Sequence, residues 1–129
     1  MMYQIKVPTV IYLPKKTKTD KRYPLNLNHF RNAHYTENNN AKKQYKAMIA
    51  PDLLPISNGK IKIRYGLVLA QQRGDVANVC AIVDKFFCDA LVELGYIADD
   101  DYKTVVAVEY YFMGIDKSHP HCLVTIEEV

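Results

Sequence analysis

Two neighbouring segments carry the strongest hydrophobic periodicity in the chain. From Ile61 to Leu69, apolar side chains occupy every second position, which predicts a β-strand with one buried face. From Val76 to Leu94 they recur every three or four positions, which predicts an amphipathic helix, and Gly95 is well placed to end it. The sequence therefore predicts a buried strand that leads directly into a packed helix.

Weaker patterns on both sides complete the predicted fold. They favour a strand over Gln4–Leu13, a helix over Glu37–Ala50 ended by Pro51, and strands over Val105–Phe112 and Cys122–Glu127. Pro8 indicates an edge position or a bulge in the first strand, and Pro14 to Asn28 is predicted to be a polar, basic loop. The polar segment Gly114–His121 is predicted to join the last two strands as a hairpin. We expect one domain over residues 1–129, of α+β (mixed α/β) class, with a four-stranded mixed sheet packed with two main helices.

Composition narrows the class of protein. A chain of 129 residues that is 49% hydrophobic can bury a core without a disulfide or metal staple. Cys80, Cys88 and Cys122 form an odd set without a closely spaced pair, which argues against a disulfide framework and a structural zinc site. The sequence has no apolar run near the roughly 20 residues of a membrane span, and no secretory signal is recognisable. We therefore expect a cytoplasmic protein with no membrane partner.

Charge is distributed unevenly, although the formal net charge is only +3. Five of the eight residues from Lys15 to Arg22 are basic, and Lys42, Lys43 and Lys46 form a second basic group. Acidic residues concentrate at Asp99–Asp101. Basic groups beside a compact acidic group suit a protein that holds a polyanion and coordinates a cation, although basic loops are also common as solvated surface.

Acidic residues flank the predicted long helix at both ends. Asp75 precedes it and Asp99–Asp101 follow it, and a helix from Val76 to Leu94 is about 28 Å long. The two ends can share a site only if the following loop runs back along the helix or if a second subunit contributes. Carboxylates are ligands that Mg²⁺ prefers. The alternatives are that Asp75 is a helix N-cap, with Asn78 in the first turn, and that Asp99–Asp101 form a solvated turn.

A set of motifs runs through this region in a defined order. The motifs are Asp75-Val76-Ala77-Asn78, Lys85, Asp89-Ala90-Leu91, Gly95-Tyr96 and Asp99-Asp100, preceded by Pro24–Asn28 with Arg31 and Tyr35. In this order they resemble the RusA family of Holliday-junction resolvases. The resemblance covers most of the chain.

The resemblance implies a homodimer that cuts four-way DNA junctions by paired nicks, with magnesium as cofactor. It implies catalytic roles for Asp75, Asp100 and Lys85, and metal ligation by Asp75 and Asp100. We expect Asp99 as an additional metal ligand. Asn78 is assigned to helix capping. Expected DNA contacts are Lys15, Lys16, Lys18, Lys21, Arg22, Asn28, Arg31 and Arg73, chiefly to phosphates.

This chain departs from the family pattern at two points. Ala77 stands where the family has a second aspartate, and a methyl group cannot ligate a metal. The interval from Asn78 to Lys85 is also four residues longer, which adds Asp84. Asp84 is expected nearly opposite Asp75 on the helix, so Asp99 or Asp101 is a better substitute for the missing acid. The alternative function is a catalytically impaired protein that binds branched DNA.

Overall fold

The strand with the strongest alternation lies inside the main sheet of the fold. The computed structural model describes residues 2–15, 19–56, 59–72 and 74–129. The strands are β1 (Met2–Val7), β2 (Val10–Leu13), β3 (Lys21–Pro24), β4 (Ile61–Leu69), β5 (Val105–Ile115) and β6 (His121–Glu128). The helices are α1 (Leu27–Asn32), α2 (Tyr35–Ile49) and α3 (Val76–Glu93), and a short 3₁₀ turn, Ala50–Asp52, follows α2.

The main sheet has four strands in the order β1-β6-β4-β5. Strand β4 pairs in parallel with β5 and antiparallel with β6, and β6 pairs antiparallel with β1. The parallel pair is joined through α3, as a parallel connection requires. The predicted α+β class, with a four-stranded mixed sheet and two main helices, is confirmed.

The predicted hairpin between the last two strands is wrong. Strand β4 lies between β5 and β6 and pairs with both of them, so residues 116–120 cross over one end of β4. The physical reason is that β4 is apolar enough to be an interior strand. Its residues Tyr65 to Val68 are all buried, so it needs a neighbour on each edge.

The first predicted strand is also divided, and the predicted basic loop is shorter than expected. Strand β1 ends at Val7, before Pro8, because proline cannot donate to a ladder. Strand β2 then leaves the main sheet and pairs antiparallel with β3 in a separate two-stranded sheet. Strand β3 and the start of α1 both lie within the segment Pro14–Asn28, which was expected to be entirely loop.

The core lies between one face of the sheet and the helices. Alternate residues of β4 point into it, and all of Ile61, Ile63, Tyr65 and Leu67 are fully buried. From α3, Val83, Phe87 and Leu91 are fully buried, and from α2 so are Ala41 and Tyr45. This packing fixes α3 over β4 and β5. The helix starts near the C-terminal ends of these two strands.

Candidate functional site

Asp75 caps the N-terminus of α3 and is exposed. One of its carboxylate oxygens accepts a hydrogen bond from the Asn78 backbone N–H at 3.2 Å, so the capping role is present. The Asn78 side-chain oxygen accepts from the Leu27 backbone N–H at 3.2 Å, which ties the first turn of α3 to the start of α1. The Asn78 side chain therefore links two helices, while the side chain that caps α3 is that of Asp75.

A cavity of about 290 Å³ opens beside Asp75. Its lining combines apolar residues of β4 with polar side chains, among them Arg22, Asn26, Gln71 and Asp75. Arg22 is exposed and brings a positive charge to the same cavity. The cavity therefore presents one acid and one base at the end of the sheet where β4 and β5 finish.

Asp100 lies near the other end of α3, beside two further carboxylates. Partial desolvation raises the pKa of Asp100, and a hydrogen bond with Asp99 and the charges of Asp99 and Asp89 raise it further. The Asp99 side chain also accepts from the Asp100 backbone N–H at 2.8 Å, and the Asp101 side chain accepts from the Lys103 backbone N–H at 3.0 Å. The acidic segment is thus a turn held by its own side chains, with Asp100 in a negative environment.

The structure does not bring Asp75 and Asp100 together. Asp75 begins α3, whereas Asp100 interacts with Asp89, which lies about 21 Å further along the helix axis at 1.5 Å per residue. Within the described part of the chain, no group of three or more His, Cys, Asp or Glu side chains is placed to hold a metal ion. One chain therefore offers two separate acidic positions, at opposite ends of α3.

Two lysines lie beside the acids at the C-terminal half of α3. The ammonium nitrogens of Lys85 and Lys42 are 5.7 Å and 5.8 Å from the centre of the same Phe30 ring. Lys42 also pairs with the Asp89 carboxylate at 3.2 Å, and Lys85 is exposed. We call Lys42, Lys85 and Phe30 the Phe30 cluster; it brings two positive charges to one ring, and Lys42 pairs with Asp89.

Asp84 faces the sheet and has a structural role. Its carboxylate accepts hydrogen bonds from the Tyr65 hydroxyl at 2.6 Å, the Tyr110 hydroxyl at 3.0 Å and the Cys88 thiol at 3.3 Å. Burial and the nearby Asp84 charge raise the pKa of Tyr65 and of Tyr110, so both phenols stay protonated and donate. These bonds attach α3 to β4 and β5 and occupy the Asp84 carboxylate in the interior.

The expected DNA contacts lie mainly on exposed positions. Lys15, Lys21, Arg22, Asn28 and Arg31 are all exposed. Lys21 pairs with Glu37 at 3.0 Å. The remaining three, Lys16, Lys18 and Arg73, lie outside the described residues.

Reasoning from the sequence missed Asp89 and Lys42 as members of the site. Asp89 was noted only as part of a motif, and Lys42 only as part of a basic group. The spacing of Lys85 and Asp89, one helical turn apart, was the available signal, since residues four apart share a helix face. Lys42 could not be placed, because its approach to Asp89 depends on how α2 packs against α3. Ala77 is exposed. Its methyl group therefore neither supplies a polar ligand nor packs in the core.

Comparisons with known proteins assign no family to the chain. The chain matches no family model, and no curated protein is similar enough to be matched.

All three cysteines are free and buried. Among the described residues, no helix has the length and apolar character needed to cross a membrane.

Proposed function

We propose that the protein is a magnesium-dependent endonuclease that acts on four-way DNA junctions by paired phosphodiester hydrolysis, as a homodimer in the cytoplasm. The observation that carries the proposal is the position of Asp100, beside Asp99 and Asp89, the second of which pairs with Lys42. The order of motifs that resembles the RusA family supports the same activity. The free, buried cysteines suit a reducing compartment.

The donor set at Asp99 and Asp100 fits magnesium. Mg²⁺ binds proteins through one or two carboxylates and keeps several waters, so these two adjacent side chains suffice for an open site. Partial desolvation, the hydrogen bond with Asp99 and the charges of Asp99 and Asp89 raise the pKa of Asp100, and a bound cation would favour its ionised form. When bound, the cation supplies an activated water and neutralises charge that develops on the phosphate.

In this proposal the residues of the chain have separate roles. Asp99 and Asp100 would hold the cation, and the exposed Lys85 ammonium would stabilise negative charge on phosphate oxygens. Lys42 is held by Asp89, so it contributes positive charge at a fixed position. Exposed Arg22 and Arg31 add contacts to the DNA backbone, which makes binding dependent on salt and largely independent of sequence.

Incubation of purified protein with an end-labelled synthetic four-way junction, with and without Mg²⁺, tests the proposal. We expect cleavage that requires the metal and is lost in Asp100→Asn. The matched control is Asp52→Asn, which changes an exposed aspartate of the 3₁₀ turn after α2 and should cleave as the unchanged protein does. Failure to cleave in either Mg²⁺ or Mn²⁺ would contradict the proposal.

A second candidate function is junction binding without cleavage. It is favoured by Ala77, which removes one expected ligand, and by the position of Asp75, whose carboxylate caps α3 far from Asp100. In that case, gel-shift titrations would show tight, salt-sensitive junction binding that is unchanged in Asp100→Asn, together with no nicks. Binding that strengthens in Asp100→Asn without any nick in the unchanged protein would also favour it, since the variant removes a charge that repels DNA.

A further inference from the structure

The cavity beside Asp75 lies outside the C-terminal end of β4, where α3 begins. In sheets with parallel strands, ligands commonly bind beyond the carboxyl ends of the strands. Apolar side chains cover much of its wall, and they come from three parts of the fold: the β2–β3 sheet with the segment that follows it, β4, and the first turns of α3. Among them are Val10, Leu25, Leu67 and Val79.

Polar side chains at the same cavity provide both donors and acceptors of hydrogen bonds. The side-chain oxygens of Asn26 and Asn78 each accept a hydrogen bond from a backbone N–H group of α1. Their NH2 groups have no hydrogen-bond partner among the described residues, so both are available to a ligand. The Asp75 carboxylate adds an acceptor, and the exposed Arg22 adds a positive charge.

This combination of groups selects among classes of ligand. A purely apolar group would leave the polar side chains unpaired, which is unfavourable. A lone phosphate would use Arg22, but it would be repelled by Asp75 and would leave the apolar walls without a partner. A nucleobase has two apolar ring faces and an edge that carries both donors and acceptors, so it matches both parts of the lining. The volume of about 290 Å³ lies near the lower end of the range for ligand sites, which suits one base with its sugar.

A second and more apolar cavity of about 280 Å³ adjoins the first. The two cavities share Leu69, Gln71 and Gly74 as a common wall. Phe112 lines the second cavity and is 52% exposed, so its ring is open for stacking. Every base has a π-face, and proteins commonly hold unpaired strands by stacking their bases on aromatic side chains. Groups bound in the two cavities would be neighbours, as consecutive bases of one strand are.

We infer that the two cavities hold two consecutive unpaired nucleotides of a DNA strand. One base enters the first cavity, where Asn26, Asn78 and Asp75 meet its edge, as in enzymes that read a base outside the stack. The neighbouring base stacks on Phe112, and Arg22 meets the phosphate of the bound strand. The inference rests on the proposed function only in taking DNA as the ligand. It goes further, because contacts to the DNA backbone alone carry no information from the bases.

Fluorescence anisotropy titrations in EDTA, where metal-dependent cleavage cannot occur, test the inference on the unchanged protein. The first probe is a labelled duplex with two unpaired nucleotides in its middle, and the second is the same duplex in which those two nucleotides lack their bases. Both probes carry the same phosphates, so a site that holds bases distinguishes them. We expect the probe without these bases to bind about tenfold more weakly. Equal affinities for the two probes would overturn the inference.

Two variants assign the binding to the two cavities. Phe112→Ala removes the stacking surface, and Ala70→Trp fills the first cavity. Each should lower the affinity for the probe with unpaired bases about tenfold and leave the affinity for a fully paired duplex unchanged. Tyr102→Ala is the matched control, because Tyr102 is 78% exposed and lies outside both cavities; it should bind as the unchanged protein does. If both variants keep a native circular dichroism spectrum and full affinity, the bases bind elsewhere and the inference is overturned.

Cleavage of a fully paired four-way junction in Mg²⁺, measured separately, distinguishes failure of this inference from failure of the proposed function. A protein that cuts the junction but does not distinguish the two probes would keep the proposed function and refute the inference. Binding that depends on the unpaired bases, without any cleavage, would support the inference and contradict the nuclease. A protein that binds none of these DNA probes at low salt would overturn both.

Discussion

The hydrogen bonds of Asp84 should be the main polar attachment of α3 to the sheet, and Asp84→Ala tests this. The change removes the acceptor for the fully buried Tyr65 hydroxyl and for Tyr110. Hydrogen bonds to a charged acceptor contribute about 1.5–3 kcal/mol each, and the loss is partly offset because the carboxylate is no longer desolvated. We expect the free energy of unfolding to fall by about 3 kcal/mol.

Urea denaturation followed by circular dichroism measures this loss, and a double-mutant cycle assigns it. Tyr110→Phe should cost about 1.5–3 kcal/mol in the unchanged protein and close to nothing in Asp84→Ala, because the acceptor is already gone. Glu93→Ala is the control; its carboxylate pairs with Lys46 at 2.8 Å but is 55% exposed, so about 0.2–1 kcal/mol is expected. Equal costs for Tyr110→Phe in both backgrounds would refute the reasoning.

Three further outcomes are expected. Tyr45→Phe should raise the free energy of unfolding by about 1 kcal/mol in urea titrations, because within the described residues the fully buried Tyr45 hydroxyl has no hydrogen-bond partner; a loss of stability would contradict this. Burial raises the pKa of Tyr23 to about 12, so the stability that the protonated phenol contributes is complete below pH 10 and is lost as pH rises towards 12. Thermal unfolding should show this loss of stability, and Tyr23→Phe should make the loss smaller. If each site of the proposed homodimeric nuclease needs Asp75 of one protomer and Asp100 of the other, Asp75→Asn and Asp100→Asn should each be inactive. Unfolding and refolding the two variants together should restore cleavage, because a mixed dimer keeps one site with both acids unchanged; no recovery would contradict a site shared between protomers.

The sequence was sufficient for the elements with strong periodicity. Strand Ile61–Leu69 was predicted with its observed bounds, and α3 was predicted to end one residue later than it does, since buried alternation and a helical stripe are local signals. The pairing of strands could not be predicted from local signals of this kind. Whether Val105–Ile115 adjoins His121–Glu128 or β4 depends on which edges are free in the folded sheet, so the hairpin prediction was wrong.

The candidate site was likewise predictable from the sequence only in part. Asp75 as a helix cap follows from its place before an apolar helix, and the structure has that bond. The separation of the two acidic ends was also expected from helix length. The contact of Lys42 with Asp89, and the hydrogen bonds of Asp84 with Tyr65 and Tyr110, join residues from different elements. Only the packing of these elements decides them, and no local pattern encodes it.

The most direct test of the proposed activity is to map the cut positions on all four strands of a synthetic junction after a single turnover in Mg²⁺. We expect two nicks placed symmetrically across the branch point, on opposing strands, and none with Asp100→Asn. Uncut junction in Mg²⁺ and in Mn²⁺, despite tight binding, would contradict it and would leave a protein that binds branched DNA without cleaving it.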